Sequence, residues 1–107
     1  MPIYSNTFVS FISENGQYCI GRIIKISQHG VTMRPLERCR IPELGESGSV
    51  VVNFGSRYAG HRALTAWVEV GDSSDECIEF FIREIDNTSR KTLLNIIELD
   101  KEELKVA

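Results

Sequence analysis

No stretch of this 107-residue chain approaches the ~18 consecutive apolar residues that a membrane-crossing helix requires, so membrane insertion is not expected. The opening MPIYSNTF has neither the basic segment nor the apolar core of a secretion signal, and a cytoplasmic location follows as the expectation. Cys19, Cys39 and Cys77 contain no C-x-x-C pair. Structural zinc sites normally show close-spaced ligand pairs, so the three thiols are read as reduced and metal-free. There is no G-x-S-x-G elbow and no Walker-type phosphate loop, and neither His29 nor His61 has a carboxylate at motif spacing. An enzyme is not expected. Internal repeats and low-complexity segments are absent too.

What remains is an ordinary globular composition, 42% hydrophobic and 25% charged, in a chain long enough for one core without staples. A single domain is expected. The net charge of −3 is unevenly distributed. Residues 1–68 hold seven Lys/Arg against four Asp/Glu, whereas residues 69–107 hold five against eleven. A basic first part suits an anion and an acidic end suits a protein partner, although a solvated surface explains both.

Short strand-like runs fill the first 85 residues. Thr7 to Ser13 presents Phe8, Ser10 and Ile12 on one face and Thr7, Val9, Phe11 and Ser13 on the other, neither clearly wet. Asn15-Gly16 is a hairpin turn signal. Tyr18 to Ile26 is a second strand, Gln28-His29-Gly30 a turn, and Val31 to Arg34 a third strand closed by Pro35. Residues 36–49 read as a loop punctuated by Pro42, Gly45 and Gly48. Val50 to Phe54 is the fourth strand, with Val50, Val52 and Phe54 inward. Ala63 to Val70 is the fifth, stopped by the glycine, aspartate and serines of residues 71–75. Cys77 to Ile85 is the sixth, with Ile78, Phe80 and Ile82 on one face.

The period then changes. Asp86-Asn87-Thr88-Ser89 offers several N-cap residues. Leu93, Ile96 and Ile97, with Leu94 beside them, follow at helical spacing and predict a helix over about Thr88 to Leu99. Asp100-x-x-Glu103 has the spacing of a capping box and predicts the start of a short second helix. The fold class is therefore all-β with a C-terminal helix, a six-stranded antiparallel barrel plugged or flanked by that helix.

Within GRIIKISQHGVTM (residues 21–33), Ser27-Gln28-His29-Gly30 forms an S-x-x-G between two strand-like runs. It resembles the [D/N]-x-S-x-x-G signature of the PilZ domain, a bacterial receptor for cyclic di-GMP. Ala63 to Val70 and Glu79-Phe80-Phe81-Ile82-Arg83-Glu84-Ile85-Asp86 are similar to the family's last strands, and Thr88 to Leu99 to its terminal helix. The resemblance covers roughly residues 17–100 and implies the same six-stranded barrel. Two departures stand out. Lys25 occupies the Asp/Asn position, and no R-x-x-x-R precedes the first strand. An Asp or Asn accepts hydrogens from guanine, which the three donors of a lysine cannot do. The family's arginines fork onto phosphate and the guanine edge. The resemblance thus implies a PilZ-like adaptor that has lost cyclic di-GMP binding in the family manner and acts through protein contacts in surface motility, chemotaxis or biofilm control.

A second reading keeps cyclic di-GMP as the ligand, with Lys25, Ser27 and Gly30 joined by Arg34 and Arg38, the ends of an R-x-x-x-R lying after the S-x-x-G. Here Ser27 bonds a base or phosphate and Gly30 supplies a positive-φ turn. Plain turn chemistry accounts for both residues as well. A third class is a small β-barrel unrelated to PilZ. The partner surface is assigned to Trp67, the single tryptophan, which falls with Thr65 and Glu69 on the more polar face of its strand. Packing of the C-terminal helix over it is the alternative. Tyr58 and Arg62, in the basic, aromatic loop Arg57-Tyr58-Ala59-Gly60-His61-Arg62, are added to it. A protein partner or a second copy is expected, and no nucleic-acid polymer.

Overall fold

A computed structural model describes residues 7–36, 39–54 and 63–106, with side chains as far as residue 98. The elements are β1 (Phe8–Ser13), β2 (Tyr18–Ile26), β3 (Gly30–Pro35), β4 (Ser47–Asn53), β5 (Ala63–Ser73), β6 (Ile78–Glu84) and α1 (Asn87–Val106). The strands close into an antiparallel barrel in the order β1-β2-β3-β6-β5-β4, with β4 returning to pair with β1. The barrel is thus two three-stranded meanders, β1-β2-β3 and β4-β5-β6, joined along two seams, β3 with β6 and β1 with β4. Among the described residues no helix is long and apolar enough to cross a membrane.

Alternation decides the core. Val9 and Phe11 of β1, Val50 and Val52 of β4, Leu64, Ala66, Val68 and Val70 of β5, and Ile78 and Phe80 of β6 are all buried. The Phe11 and Phe80 rings meet inside at a centroid distance of 4.9 Å. The two ends close differently. At one end the segment after β3 crosses the opening: Pro42 is buried, Cys39 and Ile41 pack on the core, and Gly45 N–H donates to the Val70 carbonyl. At the other end α1 contributes Leu93 and Ile96 to the same core.

Three boundaries differ from the sequence reading by more than a single residue. β4 begins at Ser47, inside the expected loop, because Gly48 lets β1 approach closely: a Cβ there would strike the Ile12 carbonyl. β5 runs on to Ser73, since a bulge at Gly71 absorbs the breaker residues and the Phe81 ring occupies the space a side chain there would need. The helix is continuous to Val106 rather than restarting near Asp100, and no glycine or proline interrupts it.

Asp86 is the N-cap. Its carboxylate accepts the Ser89 N–H at 3.1 Å, and its carbonyl accepts the first helical bond, from Arg90. The Ser89 amide and hydroxyl together hold Asp86 below the usual carboxylate range. The Ser89 hydroxyl also accepts the Thr65 N–H at 3.2 Å, on the stretch of β5 beyond the end of its β6 pairing. One serine therefore ties the helix start to the barrel wall.

Candidate functional site

The S-x-x-G segment is a two-residue hairpin. Ser27 and Gly30 exchange both backbone bonds around Gln28-His29, and the Ser27 hydroxyl accepts the His29 N–H. The serine is thus used within its own turn. Gly30 does not have a positive φ, in contrast to the expectation; Gly16 and Gly45 do. Glycine is required at position 30 for a different reason. A Cβ would collide with the Phe80 backbone carbonyl across the β3–β6 seam.

Lys25, Ser27 and Gly30 do come together. With His29, Thr32, Glu79 and Phe81 they line a cleft of about 120 Å³. That is well below the ~300 Å³ at which small-molecule pockets begin. Glu79 adds a carboxylate to it, which opposes an anionic ligand. A larger groove of about 610 Å³ lies between the same hairpin and α1, lined by Ile26, Ser27, Gln28, His29, Leu94, Ile97 and Glu98.

Arg34 is exposed on β3, one row beyond Thr32, and stands directly opposite Arg22 of β2. Arg22 also lies over the Phe8 ring, 5.7 Å from its centroid. Arg22 escaped the sequence reading because a bulge at Ile24 sets this register. Without the bulge, Arg34 would face Ile23. The bulge also turns both Ile24 and Lys25 outward. Arg38, Tyr58 and Arg62 lie outside the described residues.

Trp67 points outward from β5 and is 37% exposed. It borders an open cleft of about 420 Å³ with Ser49, Thr65, Glu84, Ile85 and Asp86. The pairing register extends this position into a row across five strands: Tyr18, Ile12, Ser49, Trp67, Glu84. Tyr18 and Ile12 are 53% and 47% exposed. β1 (FVSFIS) and β4 (SGSVVVN), which form the middle of this face, contain no charged residue. Their outward side chains are Phe8, Ser10, Ile12, Ser47, Ser49, Val51 and Asn53. Sequence reasoning found Trp67 but missed Ile12 and Tyr18. The available signal was the Asn15-Gly16 turn. Gly16, at φ 80°, closes a three-residue hairpin in which Ser13 pairs with Gln17, so Ile12 must face Tyr18.

Among the described residues no group of His, Cys, Asp and Glu is arranged to hold a metal ion. No family model matches the chain, and no curated protein matches it.

Proposed function

We propose that this chain is a PilZ-like adaptor of bacterial second-messenger signalling, cytoplasmic and non-enzymatic, which works through protein contacts and does not bind cyclic di-GMP in the family manner. The observation that carries this reading is that β1 and β4 have no charged residue of their own and are flanked by Trp67 on one side and Tyr18 on the other. Interface cores are depleted in charge and enriched in aromatics, and a few such anchors dominate the binding energy. Trp67→Ala is expected to weaken association with a partner or a second copy by about 2 kcal/mol. Sedimentation equilibrium reads self-association, and calorimetry reads a captured partner. Circular dichroism should show the variant folded. Unfolding would make Trp67 a structural residue and remove this surface from consideration.

Failure to bind cyclic di-GMP is the other half of the proposal. The small, carboxylate-bearing cleft at the S-x-x-G hairpin supports it, as does Lys25 in the acceptor position. Titration calorimetry is expected to detect no binding tighter than roughly 10 μM, about 7 kcal/mol. A second reading, a receptor with a rearranged arginine set, is favoured by one observation: Arg22 and Arg34 face each other on adjacent strands, where two guanidinium forks suit a phosphate. Saturable micromolar binding that Arg34→Ala or Arg22→Ala abolishes would establish that receptor in place of the adaptor.

A further inference from the structure

We infer that Cys19 and Cys39 form an oxidation site, at which hydrogen peroxide converts their two thiols into one intramolecular disulfide. Cys19 is at the start of β2 and points into the core. Cys39 belongs to the irregular segment that crosses this end of the barrel. Its thiol donates to the Ile20 carbonyl at 3.2 Å, and its sulfur accepts the Ile20 N–H at 3.4 Å. Both backbone groups of the residue next to Cys19 therefore hold the Cys39 sulfur in place. Cys39 also packs on the core that Cys19 enters, close enough to be felt at the Cys19 thiol. Nineteen residues of sequence separate the pair, yet the Cys39 sulfur already sits against the backbone next to Cys19 in the reduced protein. Cys77 is different: it sits just before β6, and among the described residues its thiol has no hydrogen-bonded partner.

The environments of the two sulfurs assign their order of reaction. Burial, reinforced by the adjacent Cys39, pushes the Cys19 thiol up to about 12, so it stays protonated at neutral pH. Cys39 is half-buried whereas Cys19 is buried, so Cys39 is the residue that reacts first. The Cys39 thiolate attacks one peroxide oxygen. The O–O bond breaks, hydroxide leaves and takes up a proton as water, and Cys39 becomes a sulfenic acid. Sulfur is oxidised by two electrons and the peroxide is reduced by two. Cys19 sulfur then attacks Cys39 sulfur. The S–S bond forms, the S–O bond breaks, and the departing hydroxide leaves as water with the Cys19 proton. The product ties the crossing segment covalently to β2 and locks the end of the barrel that has no helix. This site is independent of the Trp67 surface.

The test uses the full chain, folded and reduced, exposed to hydrogen peroxide. It is then denatured, alkylated with N-ethylmaleimide and peptide-mapped. Cys19 and Cys39 are expected in one cross-linked peptide, with Cys77 carrying the label. The oxidised protein should melt at a higher temperature, and dithiothreitol should reverse the gain. Cys39→Ser should leave Cys19 fully alkylatable. Cys77→Ser should leave the cross-link yield unchanged. Serine keeps a hydroxyl that can bond to the Ile20 backbone in place of the Cys39 thiol, and circular dichroism checks that both variants are folded. The inference is overturned if Cys39 accumulates as sulfinic acid while Cys19 remains alkylatable. Recovery of both as free thiols, or of cross-links confined to Cys77 between molecules, overturns it equally.

Discussion

Gly30→Ala is expected to destabilise the domain by on the order of 3 kcal/mol, the upper part of the range for overpacking. The added methyl would fall against the Phe80 carbonyl, which is backbone and cannot swing aside as a long side chain does. β6 cannot retreat either, because Phe80 is fully buried and stacked on Phe11. Urea denaturation followed by circular dichroism measures the loss. Gly16→Ala is the control. Gly16 has a positive φ but open space around its Cβ position, so that variant carries only the left-handed backbone penalty of about 1 kcal/mol. Should Gly30→Ala melt like the unsubstituted protein, Gly30 would no longer be explained by the seam, and a role in a ligand or a turn would have to be found for it.

Ile96→Ala should cost about 3 kcal/mol, within the 2–5 kcal/mol span for a buried aliphatic cut back to alanine. Ile96 is fully buried and, with Leu93, supplies the part of α1 that enters the core. Beyond these two, the half-buried Ile97 and the bond from Thr65 to Ser89 hold the described part of the helix to the barrel. Leu94→Ala, one residue beside this stripe and 45% exposed, should change stability much less. The denaturation midpoints of the two variants make the comparison. A loss under ~1 kcal/mol for Ile96→Ala would mean that the helix lies on the barrel without sharing its core.

These effects also show what could be read from the residues beforehand. The alternation of Leu64, Ala66, Val68 and Val70 against Thr65, Trp67 and Glu69 gave the inner and outer faces of β5 correctly, because a period of two leaves no ambiguity when one side is uniformly apolar. The helix announced itself through Leu93, Ile96 and Ile97. In β1 the faces could not be separated, since FVSFIS is apolar or small throughout, and only closure against β4 decides that Val9 and Phe11 go inward. Local signals also misled where tertiary contact overrides them. Gly48 and Gly71 look like breakers but are places where another part of the chain comes too close for a side chain. Asp86 was one of four cap candidates. What selects it is the joint bonding of Ser89 to its carboxylate and to Thr65, a contact between residues far apart in sequence. The bulge at Ile24 leaves no mark in the residue pattern, and with it the facing of Arg22 and Arg34 stayed hidden. The same holds for Cys19 and Cys39, which only the crossing of the barrel end brings together.

The division into two meanders has a kinetic meaning. Hairpins such as β1–β2 and β2–β3 close locally on a timescale of roughly microseconds, but neither half has a sealed core until the other arrives. The slow event is the docking of the halves, in which Phe8 must find Asn53 at one seam while Met33 finds Ile78 at the other. Gly30 and Gly48 stand one at each seam, where a backbone carbonyl of the facing strand leaves no room for a Cβ. In stopped-flow refolding, the loss from Gly30→Ala should therefore fall mainly on the folding rate, with the unfolding rate little changed. Glycine at these two positions clears the approach path for assembly as well as the finished contact.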